Sequence, residues 1–111
     1  MPAILPDDVI MQEVGEVAAL DRQEDFYDIP LLTAHHLEAL WDWPAQRGSV
    51  MCENGKILAP YAWNELPDGS ILDAQGPSGI CRVLPQDARF GHYRKEWFPW
   101  LDKVEGAIPI I

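Results

Sequence analysis

Residues 61–73 read Tyr61-Ala62-Trp63-Asn64-Glu65-Leu66-Pro67-Asp68-Gly69-Ser70-Ile71-Leu72-Asp73. Proline presets the first corner of a turn, and glycine supplies a left-handed corner that other residues resist. The stretch therefore predicts two strands, about 61–66 and 70–74, joined tightly at Pro67-Asp68-Gly69. With Leu66 opposite Ser70, Trp63 falls opposite Asp73 and Tyr61 opposite Gln75. Side chains alternate along a strand, so Tyr61, Trp63, Glu65, Ile71, Asp73 and Gln75 share one face. Asp73 is then a diagonal neighbour of Tyr61, within reach of a long side chain.

The flanks extend the pattern. Residues 49–52 predict a short strand, and Glu53-Asn54-Gly55-Lys56 a hairpin corner, because Asn-Gly suits the positive φ angles of a type I′ turn. Residues 56–59 return, with Pro60 marking an edge or a bulge. After the loop 75–79, residues 80–84 give a further strand stopped by Pro85. Beyond it the chain is aromatic, with a short helix expected near 94–103.

Upstream the periodicity is helical. Asp7 suits the N-cap of a helix over about 7–20. Ile10, Met11, Val14, Val17 and Ala18 fall on one side, and Asp8, Glu13 and Glu16 on the other. Residues 21–28 read as a polar connection. A second helix is expected from Pro30 to Trp43, with Thr33, Leu37, Leu40 and Trp41 as its apolar stripe and Pro44 as its stop. Helices followed by an antiparallel meander define an α+β class, with N-terminal helices packed on a small sheet. The 111 residues suit a single domain, 1–111. It divides into an acidic helical segment (1–30), a helix-plus-sheet core (30–84) and an aromatic C-terminal segment (85–111).

Charge is lopsided. The chain carries −10, and residues 1–30 hold eight acids against Arg22 alone, a local −7. Such a field repels nucleic acid and anionic membranes and attracts basic protein surfaces. Asp8, Glu13, Glu16, Asp21, Glu24 and Asp25 are the candidate docking residues. Arg82, Arg89, His92, Arg94 and Lys95 make the later part locally basic, and are expected to pair with that acidic segment inside the fold; the alternative is a small anion patch.

No residue pattern supplies a metal, a cofactor or a phosphate. His35 and His36 are adjacent on a helix and diverge by about 100°, and no glycine-rich phosphate loop is present. No apolar run approaches the length of a membrane span. A cytosolic location with Cys52 and Cys81 reduced is the expectation. Neither cysteine is expected at a helix N-terminus, where its acidity would rise.

Tyr61-Ala-Trp…Asp68-Gly69…Asp73, preceded by a helix, resembles the second half of a papain-like or transglutaminase-like cysteine-enzyme domain, over about residues 30–84. The resemblance implies a papain-like core reduced in size, a histidine where Tyr61 stands, and an orienting aspartate at Asp73. It also implies a nucleophile at the start of the second helix, which here reads Ile29-Pro30-Leu31-Leu32-Thr33. A triad needs a base beside its nucleophile, and tyrosine, with a pKa of about 10, is a poor one. The resemblance therefore points to a pseudoenzyme in which Tyr61 and Asp73 are remnant positions.

The expected function is a non-catalytic acidic binding module or inhibitor acting on a basic partner. Its size and charge are like those of immunity proteins and of phage inhibitors that mimic nucleic acid. The enzymatic alternative is a divergent cysteine hydrolase or acyltransferase using Cys81 or Cys52 with His92 and Asp73. A third expectation is a homo-oligomer joined through Trp97, Trp100 and the apolar tail, 106–111.

Overall fold

The computed structural model describes residues 4–26 and 28–96. Helix α1 spans Asp8–Asp21 and α2 spans Ile29–Trp41. Five strands follow: β1 (Ala45–Met51), β2 (Ile57–Glu65), β3 (Ile71–Asp73), β4 (Cys81–Val83) and β5 (Tyr93–Lys95), with a 3₁₀ turn over Ala88–His92 before the last. All pairings are antiparallel, in the order β4-β3-β2-β1-β5. The chain is thus an α+β domain: a four-strand meander with a fifth strand added beside β1.

Capping starts both helices. Asp7 accepts a hydrogen bond from Ile10 N–H at 2.9 Å, and Asp28 from Leu31 N–H at 3.2 Å, satisfying donors that the first helical turn leaves open. α2 ends sooner than expected. Asp42 takes a left-handed conformation (φ 58°) and its N–H bonds to Glu38 C=O. The chain then leaves the helix axis and carries Trp43 into the core, fully buried. The expected stripe is corrected at Leu40, which is 45 % exposed, while Leu31, Leu32, Thr33, Ala34 and Leu37 are buried. Leu40 lies on the outer side of α2, while Leu37 and Trp41, one turn apart, pack on the core.

The central hairpin matches its expected register, with Asn64 opposite Leu72 and Glu65 opposite Ile71. Gly69 supplies the left-handed corner (φ 84°). The type I′ turn expected at Asn54-Gly55 is not formed, since among the described residues only Asp42 has positive φ outside glycine. Instead Gly55 N–H donates to Cys52 C=O at 2.9 Å and Cys52 N–H to Lys56 C=O at 2.8 Å. Only Gly55 is left-handed, which is the glycine-bulge form of a hairpin loop.

β1 begins four residues before its expected start. Its first half, Ala45-Gln-Arg-Gly, has no apolar alternation and is held by pairing with β2. Between Gly48 and Val50 the register slips, so Ser49 faces both Ala59 and Pro60. This bulge lets Pro60, which has no N–H to give, sit inside a central strand. Tyr93–Lys95 forms β5, correcting the helix expected from about residue 94; residues 97–103 of that helix lie outside the described residues.

The sheet buries both faces. On one, Leu66, Leu72 and Ala74 pack with Val14, Ala18, Leu37 and Trp43, and Ala62 with Leu31 and Ala34. On the other, Val50, Tyr61, Trp63, Ile71 and Val83 gather with Leu58, Cys81, Phe90 and Tyr93. A fully buried leucine such as Leu37 or Leu72 contributes roughly 2 kcal/mol.

Candidate functional site

Tyr61 O–H donates to Asp73 Oδ1 at 2.8 Å, the diagonal contact expected from the register. A third group was not expected: Tyr93 O–H donates to Asp73 Oδ2 at 2.7 Å. Three inter-strand spacings of about 4.8 Å separate β5 from β3 in a flat sheet, more than a tyrosine spans. The Tyr93 bond therefore records a sheet curled toward this face, also drawn in by Phe90 and by the ion pair of Lys95 with Glu65. Trp63 closes the cluster, edge-on to Tyr93 with ring centroids 5.3 Å apart.

Electrostatics follow from burial. Asp73 is 2 % exposed. Desolvation raises its pKa, opposed by hydrogen bonds from Tyr93, Tyr61 and the Gln75 backbone. Burial, reinforced by the Asp73 charge, pushes Tyr61 and Tyr93 far above the ordinary tyrosine range. A tyrosine so placed holds its proton and cannot act as a base near neutrality. The cluster is a saturated acceptor with its donors.

The helices lie on the other face of the sheet. Asn64 Nδ2 donates to Ala34 C=O at 2.8 Å and to Trp43 C=O at 3.0 Å, pinning α2 there. Gln75 joins the two sides. Its carbonyl accepts from Tyr61 O–H at 2.9 Å, while its side-chain amide donates to Ala18 C=O and Thr33 Oγ1. Gln75 was expected on the Tyr61 face. It lies beyond the end of β3, where strand alternation no longer binds it.

Of the residues of the enzymatic alternative, Cys81 stands opposite Asp73 in the β3–β4 pair, without a hydrogen bond between their side chains among the described residues. Cys81 Sγ accepts from Arg89 at 3.4 Å, and Cys52 sits at the first hairpin corner. His92 lines a separate shallow groove with Ser49, Met51, Ile57, Ala59, Arg94 and Glu96. Neither sulfur bonds to an imidazole, and no cluster of three His, Cys, Asp or Glu suited to a metal occurs, among the described residues.

The acidic face divides. Asp8, Glu13, Glu16, Glu24 and Asp25 are exposed. Asp21 is corrected as a docking residue: it is 4 % exposed, accepts from Thr33 Oγ1 at 2.7 Å and contacts His36 Nδ1 at 3.0 Å. It ties α1 to α2. The expected pairing with the acidic segment is also corrected for Arg82, Arg89 and Lys95. Arg82 pairs with Asp68 at 2.5 Å, Arg89 with Asp87 at 2.8 Å, and Lys95 with Glu65. Sequence-local and cross-strand acids are nearer to these bases than α1 is. The remaining α1 acids have no ion pair among the described residues, and Val9 and Leu20, 67 % and 63 % exposed, stand among them. Trp97 and Trp100 lie outside the described residues.

Over the described residues, the fold and its surface define a two-helix, five-strand α+β domain with one acidic helical face. No protein-family model, curated protein or solved structure matches the chain. No helix among the described residues is long and apolar enough to cross a membrane.

Proposed function

We propose that this chain is a non-catalytic binding module whose acidic α1 face docks a basic protein surface, in the manner of an inhibitor that occupies a site made for an anionic ligand. One observation carries the reading: Asp8, Glu13, Glu16, Glu24 and Asp25 are exposed, while Arg82, Arg89 and Lys95 are paired with acids outside that segment. An uncompensated field of this kind speeds encounter with a basic partner and sets specificity more than affinity. The Tyr61–Asp73–Tyr93 cluster supports the non-catalytic half of the reading, since its groups satisfy one another and hold their protons.

The test is a salt titration with an amidated lysine oligomer. Affinity for the full chain should fall steeply between low and high salt, and the variant Asp8→Asn/Glu13→Gln/Glu16→Gln should bind more weakly and with a shallower dependence. Affinity unchanged by salt, or by that triple substitution, refutes docking by charge.

A further inference from the structure

Among the described residues no strand pairs with the outer edge of β4, which runs beside the acidic face. Leu66 N–H donates to Ser70 C=O at the hairpin corner. Hydrogen-bonded pairs alternate with non-bonded ones along an antiparallel ladder. Counting from that bond, Asn64 and Leu72 form a bonded pair, so Ile71 and Asp73 turn their backbone groups toward β4, where they meet Val83 and Cys81. Arg82, opposite Leu72, must then aim its N–H and C=O away from the sheet, and so must Ile80. Neither makes a turn, loop or cap backbone bond among the described residues.

Two features flank this edge. Ile80 and Leu84 are 38 % and 41 % exposed. Ile80 also reaches α1, its Cδ1 lying 3.5 Å from where a Cβ on Gly15 would stand. Each helical residue advances about 100°, so Asp8, Gln12 and Glu16 occupy the rows just outside Gly15, on the side away from buried Val14 and Ala18. An open strand edge thus has an acidic rim along its helix side. Its other side is the apolar cluster of Cys81, Val83 and Phe90.

We propose that a basic partner adds an extended segment to β4. This deepens the docking reading above and rests on it. The segment's backbone bonds to Arg82 and Ile80. Its alternate side chains then divide: lysine or arginine on the helix side toward Asp8 and Glu16, apolar residues on the other side extending the Val83 cluster. Strand addition draws affinity from main-chain bonds and specificity from alternate side chains. Two bases stand on the helix side: Arg82, which Asp68 holds at 2.5 Å, and Arg22, which donates to Gln75 Oε1 at 2.9 Å. A second copy is a poor occupant, because edge pairing would join two chains of −10 each.

The probe is a short acetylated, amidated peptide of alternating valine and lysine, added at low ionic strength to isotope-labelled full chain. Binding should slow amide exchange at Arg82 and Ile80 by at least about tenfold, since those are the edge donors. Asp8→Asn/Glu16→Gln, both at exposed positions, should weaken binding by roughly fivefold. The same peptide N-methylated at alternate residues keeps its charge, loses its donors on one edge, and should not bind. If the methylated peptide binds equally, or protection arises away from β4, strand addition is wrong while the acidic docking face stands. If a valine–glutamate peptide binds as tightly as the lysine peptide, or the lysine peptide does not bind, both fail.

Discussion

Tyr93→Phe isolates one hydroxyl. The ring stays and keeps its edge-on contact with Trp63. What is lost is the 2.7 Å bond to Asp73 Oδ2, leaving a buried carboxylate one donor short. A hydrogen bond to a charged group contributes about 1.5–3 kcal/mol. At about 4 °C per kcal/mol for a domain near this size, the melting temperature should drop by roughly 6–12 °C. The loss should depend on pH. Burial already raises the Asp73 pKa, so the folded state holds a proton that the unfolded chain gives up near pH 3.9. Stability from this group is therefore greatest in acid and declines as pH rises toward the folded value. Removing the Tyr93 donor raises that value further. The gap between wild type and variant should accordingly be widest at about pH 8 and narrow toward about pH 4. Thermal unfolding at both ends of that range reads it. A drop under about 2 °C at the alkaline end, or an equal drop at both, refutes the assignment of Tyr93 as a donor to an ionised Asp73.

Three further outcomes are expected. Tyr61 and Tyr93 have folded pKa values raised by burial and by Asp73. Stability should hold up to about pH 10, where unfolded tyrosine ionises, and then fall by about 1.4 kcal/mol per tyrosine for each further pH unit; tyrosinate absorbance of both rings should appear only with unfolding. A methyl group on Gly48 would collide with the Arg94 carbonyl across the β1–β5 pair, so Gly48→Ala should cost about 1–3 kcal/mol in urea unfolding and alter the fluorescence of Trp63 as Tyr93 withdraws. A thiol-specific reagent should label Cys52 and Cys81 without the rapid, pH-dependent reaction of an activated thiolate; such a burst at either would favour the cysteine-hydrolase reading.

Much of this fold is legible in the sequence, because local chemistry and tertiary structure agree there. Asp7 caps α1, the apolar side of α1 faces the core, and Pro67-Asp68-Gly69 sets the register that brings Tyr61 to Asp73. The failures sit where tertiary pairing overrides local pattern. Ala45-Gln-Arg-Gly and Tyr93-Arg-Lys carry little strand signal alone; the first becomes a strand because β2 supplies partners, and the second because Gly48–Val50 of β1 does. Tyr93 was invisible as a site residue for the same reason: only a curled sheet carries it across to Asp73. Asp21 looked like its exposed neighbours, yet it lies toward α2, where Thr33 and His36 bind it. Its position one turn from Val17 and Ala18, and two turns from Val14, on the same side of the helix was the available signal.

The most direct test of the docking account is a residue-resolved shift map of the full chain with an amidated lysine oligomer. The account predicts shifts centred on Asp8, Glu13, Glu16, Glu24 and Asp25, spreading to Val9 and Leu20 and vanishing in high salt. A map centred on the groove of Ser49, His92 and Arg94, or scattered evenly over all the acids, would contradict it.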